Sequence, residues 1–449
     1  MDKRKQTINK LSAPALILWF YLGTLAVGTA LLMIPGCNHE PIRLIDAFFS
    51  AASALTGAGL MSVVPAVQFT AAGKVILLLL IQVGGLAIVA SLIIFAGALK
   101  ERIRQSQREW IQDMFSLGRL GGVGAFLRRV LITTLVIELC GAVLAAAAFI
   151  PVYGIGKGCW LGVFHAVSAF CNSGIDLLGG ASMAAFADNP LLNTTMVLLV
   201  IAGGLGFLTW FDLGSVIFTA RRRHLRVTTK AVLIATAVLL FLGTVLFAVM
   251  EWHNPDTIGE FSAGGKIAAS FYQSAMSRSG GFSVVSQAAL RDSSKLFGAL
   301  LMVIGAAPFG TAGGLKIITA ALLLLAAAEA FRGSRHVSLM HRRVETQTLR
   351  TAWAIAFCYA VLLFMAVFIL SALEPARFID VVYECSSAIG TAGLTTGITA
   401  ALRGTSRVIL VILMLAGRLT PVCLMLAIGR KKGPRDAVRT LPKEDILIG

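Results

Sequence analysis

Four short segments of this chain are near copies of one another and recur at an almost constant spacing. They are SALTGAGL at residues 53–60, SAFCNSGI at 168–175, AMSRSGGF at 275–282 and SAIGTAGL at 387–394. Their last glycines are separated by 115, 107 and 112 residues, close to a quarter of the 449-residue chain each time: Gly59, Gly174, Gly281 and Gly393. Self-similarity at a fixed period is the signature of an internal repeat. The chain is therefore predicted to contain four versions of one structural unit.

The composition places these repeats in a membrane. Hydrophobic residues make up 57% of the chain and charged residues only 14%, whereas soluble domains carry roughly 25% charged residues. Several apolar runs reach or approach the ~20 residues that a helix needs to cross the hydrocarbon core of a bilayer. We therefore expect an all-α polytopic membrane protein that forms a single membrane domain over residues 1–449.

The distribution of the +17 net charge predicts the topology. Lys and Arg cluster at residues 3–10, 100–129, 221–230, 332–350 and 430–443, between pairs of hydrophobic spans. Cytoplasmic loops of membrane proteins carry such an excess of basic residues. The pattern predicts that both termini are cytoplasmic. It disfavours nucleic acid as a partner, because a nucleic-acid surface has no need to be divided by membrane spans.

Each repeat has the same predicted order: a full span, a half-length pore helix, a loop at the glycine segment, and a second full span. The repeats cover approximately residues 11–100, 128–222, 230–332 and 350–430, followed by a cytoplasmic tail at 431–449. The second span of the second repeat is predicted at residues 191–219. Non-helical backbone at membrane depth is tolerated only where protein or a water-filled cavity satisfies its polar groups. The four tandem repeats, with eight full transmembrane helices, are therefore expected to surround one central pore.

The four loops that follow the pore helices have the composition of a K⁺ selectivity filter. Backbone carbonyls from four loops can replace the hydration shell of K⁺, and glycine reaches the required conformations without a Cβ penalty. A single motif of this kind would more often serve helix packing, but four copies at one period favour a pore. These four glycine loops form the candidate filter: Thr56, Gly57, Ala58, Gly59, Cys171, Asn172, Ser173, Gly174, Arg278, Ser279, Gly280, Gly281, Gly390, Thr391, Ala392 and Gly393.

Longer motifs surround the glycine loops. They are IQVGGL at residues 81–86, FHAVSAFCNSGIDL at 164–177, IAGGLGFLTWFDL at 201–213, SFYQSAMSRSGGF at 270–282, PFGTAGGLK at 308–316, YECSSAIGTAGLTTGIT at 383–399 and AGRLTP at 416–421. In order and spacing, over nearly the whole chain, they resemble the Trk/Ktr/HKT superfamily of potassium transporters, and most of all its Ktr-type membrane subunit.

The resemblance implies that the last glycine of each loop is a filter glycine. It also implies that keeping glycine in all four loops favours K⁺ over Na⁺. As partners it implies a second copy of the chain in a homodimer, a cytosolic nucleotide-binding regulatory ring of RCK/KTN type, and membrane lipids. The expected location is the cell membrane of a bacterium.

Residues 305–314, GAAPFGTAGG, interrupt the second span of the third repeat with four glycines and a proline. These residue types do not belong inside a regular helix. A plain kink is the simpler alternative, but ten residues exceed what a kink requires. The segment is predicted to form a gating loop across the pore, made of Gly305, Pro308, Phe309, Gly310, Thr311, Gly313, Gly314 and the adjacent Lys316.

Several charged residues fall at membrane depth, where a charge is costly unless it is hydrated or paired. Arg418 is predicted to place a positive charge just below the filter and to raise the barrier to permeation; an Arg that snorkels to the interface or is structurally paired is the alternative. Arg278 and Glu384 lie in or next to pore helices of neighbouring repeats. They are predicted to pair behind the filter and to hold two loops in register.

The predicted function is potassium uptake through a channel-like subunit, with K⁺ held by the backbone carbonyls of the filter. Na⁺ is a candidate activator, and no covalent cofactor is expected. The alternative is a Na⁺-dependent K⁺ symporter, or a Na⁺-permeable carrier, on the same scaffold. An intramembrane enzyme is disfavoured because the spans contain no HExxH motif, no paired aspartates and no GxSxG motif with a partner histidine.

Overall fold

The computed structural model describes residues 13–86, 123–179, 182–217, 224–334, 336–340 and 342–419. The predicted tail at residues 431–449 lies outside these ranges. The α-helices, numbered in chain order, are α1 (Ala13–Leu32), α2 (Leu44–Thr56), α3 (Pro65–Gln68), α4 (Ala71–Gly85), α5 (Val123–Tyr153), α6 (Ile155–Phe170), α7 (Pro190–Gly204), α8 (Phe207–Ile217), α9 (Val227–Glu251), α10 (Ala263–Met276), α11 (Asp292–Val303), α12 (Ile317–Phe331), α13 (Thr346–Leu373), α14 (Phe378–Gly390) and α15 (Gly404–Leu419). Strands β1 (Ser338–Leu339) and β2 (Arg342–Arg343) form a small antiparallel hairpin between α12 and α13.

The helices form four successive groups in the predicted order. Each group contains an outer helix (α1, α5, α9 or α13), a pore helix (α2, α6, α10 or α14) and an inner helix (α4, α7 with α8, α11 with α12, or α15). The pore helices have 13 to 16 residues. At ~1.5 Å per residue they extend ~20–24 Å, less than the ~30 Å of the hydrocarbon core. The predicted helical architecture of four repeats is confirmed.

The outer helices are suited to contact with lipid. Among the described residues they contain the four continuous segments that are long and apolar enough to cross a membrane: Ala15–Leu32, Phe126–Tyr153, Val227–Glu251 and Thr346–Leu373. Large apolar side chains project outward from them. Phe241 is 72% exposed and Phe357 is 70% exposed. Extended apolar surface of this kind is rare on soluble monomers and matches the acyl chains of a bilayer.

The inner helices are less regular than the sequence predicts. The predicted span at residues 191–219 is instead broken into α7 and α8, whose axes are bent by 98°. The break contains Gly206, whose φ of +81° lies in the left-handed region and cannot continue a helix. Residues 304–316 separate α11 from α12 at the predicted interruption. The described residues thus contain four continuous spans and one bent pair, and the count of eight full spans stays a prediction.

The pore helices form the buried centre of the molecule. Residues 49–56 of α2 and the equivalent residues 383–390 of α14 are all buried. Three inner helices approach the pore helices closely at equivalent points. At each point a glycine of the inner helix lies against the carbonyl oxygen of the residue four positions before the filter glycine, and a Cβ on that glycine would overlap the oxygen. The contacts join Gly84 to Leu55, Gly203 to Phe170 and Gly417 to Ile389. The pseudo-fourfold arrangement therefore extends from the sequence into the packing.

Candidate ion pathway

The four glycine loops meet at the centre of the described structure. The last glycine of each loop has a positive φ: +74° at Gly59, +69° at Gly174, +75° at Gly281 and +89° at Gly393. L-residues with a side chain seldom adopt this left-handed region. The local backbone therefore explains why glycine stands at this position in all four repeats.

Contacts between the loops define a closed ring. A Cβ atom built on Gly174 would lie 2.9 Å from the carbonyl oxygen of Gly280, in the third loop. The same construction places a Cβ of Gly281 3.1 Å from Ala392 O, and a Cβ of Gly393 3.1 Å from Ala58 O.

A Cβ on Gly59 would overlap Ser173 O and close the circle. In each case the carbonyl belongs to the residue just before the filter glycine of the next repeat. The repeats therefore follow chain order around the centre, and the second and fourth repeats lie opposite each other.

Each glycine loop begins with a second left-handed residue two positions before the filter glycine: Gly57 (φ +69°), Asn172 (+54°), Ser279 (+70°) and Thr391 (+48°). This conformation ends the pore helix. The cap is completed by backbone bonds from Ala58 N to Ser53 O (3.0 Å), Ser173 N to Ser168 O (2.8 Å) and Ala392 N to Ser387 O (2.9 Å). In the third loop the acceptor is one residue closer to the filter glycine, because Gly280 N donates to Met276 O at 2.8 Å.

The intramembrane loop, defined here as residues 305–316, lies against the glycine loops. The hydroxyl of Thr311 is 2.8 Å from the carbonyl oxygen of Phe170 and 2.6 Å from Asn172 Oδ1. The backbone N–H of Gly313 donates to Thr391 Oγ1 at 2.9 Å. The structure therefore brings the predicted gating-loop residues into direct contact with the second and fourth glycine loops.

The backbone of the intramembrane loop is also bonded to inner helices on opposite sides of the ring. Ala307 N donates to Gly204 O (2.9 Å) and Thr311 N to Gly203 O (3.1 Å), both at the end of α7. Gly314 N donates to Gly417 O (3.0 Å) in α15. These helices belong to the second and fourth repeats, so the loop bridges the two repeats that flank its own.

Two cations lie at the intramembrane loop. Lys316 Nζ donates to the carbonyl oxygen of Ala312 at 2.7 Å. The Arg418 guanidinium donates to Thr311 O in the loop and to Gly84 O in the first repeat, and its Nε is 3.4 Å from the Tyr21 hydroxyl. Its Nη1 is also 3.9 Å from the Cβ position of Gly57. Arg418 is therefore placed next to the glycine loops, and within the described ranges its hydrogen-bond acceptors are all neutral.

The predicted pair of Arg278 and Glu384 is wrong. Glu384 instead accepts hydrogen bonds from Thr395 Oγ1, Thr396 N and Thr399 Oγ1, all in its own repeat. Depth along the pore helix explains the difference. The position equivalent to Arg278 in the fourth repeat is Gly390, six residues beyond Glu384, and six residues of helix span ~9 Å.

The Arg278 side chain lies behind the third glycine loop. It lines a cavity of about 20 Å³ together with Val200, Leu240 and Ala306. Its Nε has no hydrogen-bond partner within the described ranges. The backbone of Arg278 thus begins the predicted filter loop, while its charge faces the packing between the second and third repeats.

Two buried ion pairs, which the sequence analysis does not predict, join neighbouring repeats. Lys295 in α11 bonds Asp380 in α14 at 2.8 Å, and Arg407 in α15 bonds Asp46 in α2. Both acids stand 13 residues before a filter glycine, and both bases stand 14 residues after one. This shared register becomes a sequence signal for the pairs only once the order of the repeats around the centre is known. They join the third repeat to the fourth and the fourth to the first.

Comparison with known proteins gives the same assignment. A family model described as "Cation transport protein", TrkH, matches residues 4–438. The Ktr system potassium uptake protein B of Vibrio alginolyticus is 33% identical over 97% of this chain and 95% of its own length. The protein of that name from Bacillus subtilis is 31% identical, with 96% and 95% covered.

Two further matches extend the comparison. The potassium/sodium uptake protein NtpJ of Enterococcus hirae is 31% identical over 99% of both chains. The crystal structure of the potassium transporter TrkH from Vibrio parahaemolyticus superposes with a TM-score of 0.74 at 17% identity, covering 93% of this chain and 86% of that one. At this identity the superposition supports the fold alone.

The resemblance to the Trk/Ktr/HKT transporters, and to their Ktr-type membrane subunit, is confirmed by these matches. The family consists of ion transporters, so the prediction that the chain is not an enzyme is confirmed as well. A family model matched over nearly the whole length, and relatives above 30% identity aligned almost end to end, show that this chain belongs to the TrkH family of cation transport proteins.

Proposed function

We propose that this chain is the ion-conducting membrane subunit of a potassium-uptake system. The observation that carries the proposal is the closed ring in which the carbonyl before each filter glycine faces the glycine of the neighbouring loop. Four such carbonyls supply a cage of oxygen ligands for a dehydrated alkali cation. The names of the relatives from V. alginolyticus and B. subtilis, which are potassium uptake proteins, support K⁺ as the cargo.

In this proposal K⁺ is bound without a carboxylate in the filter. The glycine loops at residues 56–59, 171–174, 278–281 and 390–393 contain no Asp or Glu. The pore helices end at these loops, and their C-terminal carbonyls place partial negative charge there. Uptake is driven by the inside-negative membrane potential, which contributes ~2.3 kcal/mol per charge per 100 mV.

The intramembrane loop is the gate in this proposal, and Arg418 is the electrostatic barrier beneath the filter. The loop bridges the second and fourth repeats and is held by hydrogen bonds that can be exchanged for water. Phe309 supports a loop with two states, because its φ of +62° is strained for a bulky residue. Such strain clusters at switch regions. Arg418 couples the barrier to the gate by donating to Thr311 O.

A Na⁺-dependent K⁺ symporter, or a Na⁺-permeable carrier, is the second candidate on this scaffold. The observation that favours it is the 31% identity to a relative named as a potassium/sodium uptake protein. Saturable uptake of K⁺ that requires Na⁺ would support the symporter. Uptake that is linear in driving force and independent of Na⁺ would support the channel.

The assembly that we propose is a homodimer in the bacterial cell membrane, with both termini in the cytoplasm and a nucleotide-binding regulatory ring below it. The word "system" in the names of the Ktr relatives supports a multi-component assembly. The hairpin of β1 and β2 lies in a predicted cytoplasmic segment and carries Arg342 and Arg343. It is the part of the described chain that we assign to contact with the ring.

The test is cation flux into proteoliposomes that contain the purified protein, with K⁺, Rb⁺ and Na⁺ compared under the same gradient. We expect K⁺ and Rb⁺ to enter well ahead of Na⁺, and Gly59→Ser to erode that preference because a Cβ at this position overlaps Ser173 O. Empty liposomes are the control for leak. Equal entry of Na⁺ and K⁺ through the wild-type protein would refute the K⁺ assignment.

A further inference from the structure

One position on the pore helices, nine residues before the filter glycine, differs among the repeats in a way that the proposed function does not use. Its occupants are Ser50, His165, Tyr272 and Glu384. All four are buried or nearly so: His165, Ser50 and Glu384 are 0% exposed and Tyr272 is 3% exposed. In the second and fourth repeats the side chain at this position contacts the exit segment, defined here as the residues directly after the filter glycine, 175–177 and 394–399.

In the second and fourth repeats this side chain accepts a hydrogen bond from the backbone beyond the filter. Leu177 N lies 3.4 Å from His165 Nε2. Thr396 N donates to Glu384 Oε1 at 3.1 Å. Both donors stand three residues after the filter glycine of their own repeat. The two contacts are therefore equivalent in position, although one acceptor is an imidazole and the other a carboxyl group.

Each acceptor is itself fixed in orientation. His165 Nδ1 lies 2.7 Å from Leu161 O. A carbonyl oxygen only accepts, so Nδ1 carries the proton and Nε2 is free to accept. Glu384 also receives the hydroxyls of Thr395 and, at 2.9 Å, of Thr399. Its two oxygens therefore bond three groups of the exit segment.

The first and third repeats lack this contact. Ser50 Oγ and the Tyr272 hydroxyl are buried, and neither has a hydrogen-bond partner within the described part of the chain. In the first repeat the residue three positions after the filter glycine, Ser62, bonds Asp46 instead at 2.8 Å. The backbone contacts from this position therefore lie on one diagonal of the ring.

We infer that Glu384 and His165 are positioning residues that brace the outer ends of two opposite glycine loops and thereby set the discrimination among alkali cations. The inference rests on the proposed function. In the snug-fit account of selectivity, a carbonyl cage rejects a smaller cation because the backbone resists contracting around it. Bonds from a rigid, buried pore helix to the exit segment supply that resistance along the diagonal of the second and fourth repeats.

The first measurement is the ratio of initial Rb⁺ to Na⁺ uptake in proteoliposomes. Glu384→Ala is expected to lower the ratio about tenfold, since leaving a buried hydrogen-bond donor without its acceptor costs about a factor of ten. Glu384→Gln is expected to keep most of the ratio, because its amide accepts from Thr396 N and donates to Thr399. Thr399→Val, which is isosteric and removes a single donor, gives an intermediate loss and serves where the alanine variant does not fold.

The chain provides matched controls at the same position. Ser50→Ala and Tyr272→Phe each remove a hydroxyl that makes no hydrogen bond, and both are expected to leave the ratio unchanged. Equal losses in the controls and in Glu384→Ala would overturn the diagonal brace. A glutamine variant that behaves like the alanine variant would also overturn it, since charge rather than positioning would then decide selectivity.

A second measurement does not depend on transport. Amide hydrogen exchange of residues 394–399 should be faster in Glu384→Ala than in the wild type, whereas exchange of residues 282–287 should be unchanged in Tyr272→Phe. Unchanged exchange at 394–399 would overturn the brace whatever the flux assay gives. A wild-type protein that shows no preference for Rb⁺ over Na⁺ would instead refute the proposed function, and the exchange result would still decide the brace.

Discussion

The contact between Thr311 and the glycine loops allows a quantitative test of the gate. In the structure the Thr311 hydroxyl lies 2.8 Å from Phe170 O and 2.6 Å from Asn172 Oδ1. Thr311 is 0% exposed, so these acceptors have no access to bulk water from this side. Thr311→Val keeps the shape of the side chain and removes the donor. The substitution changes the free energy of the closed state alone, because in the open state water bonds both acceptors in the wild type and in the valine variant.

The magnitude follows from the cost of leaving a buried acceptor without its donor, about 1–3 kcal/mol. Since 1.4 kcal/mol corresponds to a factor of ten, the ratio of open to closed loop should rise by about 5- to 150-fold. The sign is toward opening, because the substitution raises the free energy of the closed state only. Measured flux rises by this factor until the open state predominates.

The assay is the initial rate of Rb⁺ uptake into proteoliposomes, under conditions in which wild-type flux is low. Thr311→Ser is the matched control, because it retains the hydroxyl and is expected to stay near the wild-type rate. The ratio of Rb⁺ to Na⁺ uptake, measured in parallel, should not change if the filter is intact. A valine variant with flux equal to or below that of the serine variant would refute a gate held closed by this contact.

Two further predictions concern charged groups. Arg418→Ala should raise cation flux by removing both the barrier and the link to Thr311, whereas Arg418→Lys keeps the charge; equal flux in wild type, Ala and Lys would show that Arg418 is not a barrier. Lys295→Met should lower the free energy of unfolding in detergent by about 3–5 kcal/mol, because Asp380 loses its buried counter-ion. Arg377→Ala, which breaks an exposed pair with Asp292, should cost about 1 kcal/mol or less. Equal losses of unfolding free energy in Lys295→Met and Arg377→Ala would contradict the burial of the pair between Lys295 and Asp380.

The features that could be predicted from sequence are those encoded within a single repeat. A left-handed backbone conformation at a loop position favours glycine locally, so Gly59 and Gly393 identify equivalent loops from the sequence without the structure. The interruption at residues 305–314 follows from the same local chemistry, since glycine and proline disfavour a continuous helix. The bend after Gly204 carries a comparable signal in IAGGLG, but one glycine with a positive φ cannot be distinguished by sequence from a glycine that packs a helix.

Contacts between repeats were decided by tertiary structure. The acids and bases of the chain offer many pairings of similar plausibility, and the choice depends on which repeat is the neighbour and at what depth each side chain lies. Arg278 and Glu384 are in neighbouring repeats, yet their positions along equivalent pore helices differ in depth by ~9 Å. Lys295 and Asp380 lie at the same depth and therefore meet.

By itself the sequence determined four repeats, a helical membrane fold, the location of the glycine loops and the position of the break in the inner helix of the third repeat. Each of these depends on local backbone preference and on apolar periodicity, which act over one or two turns. The tertiary structure alone decided the order of the repeats around the centre, the partners of the buried charges and the contact of Thr311 with Asn172. The ion pairs between repeats and the Thr311 contact join residues 85 or more positions apart in the chain, which no local pattern records.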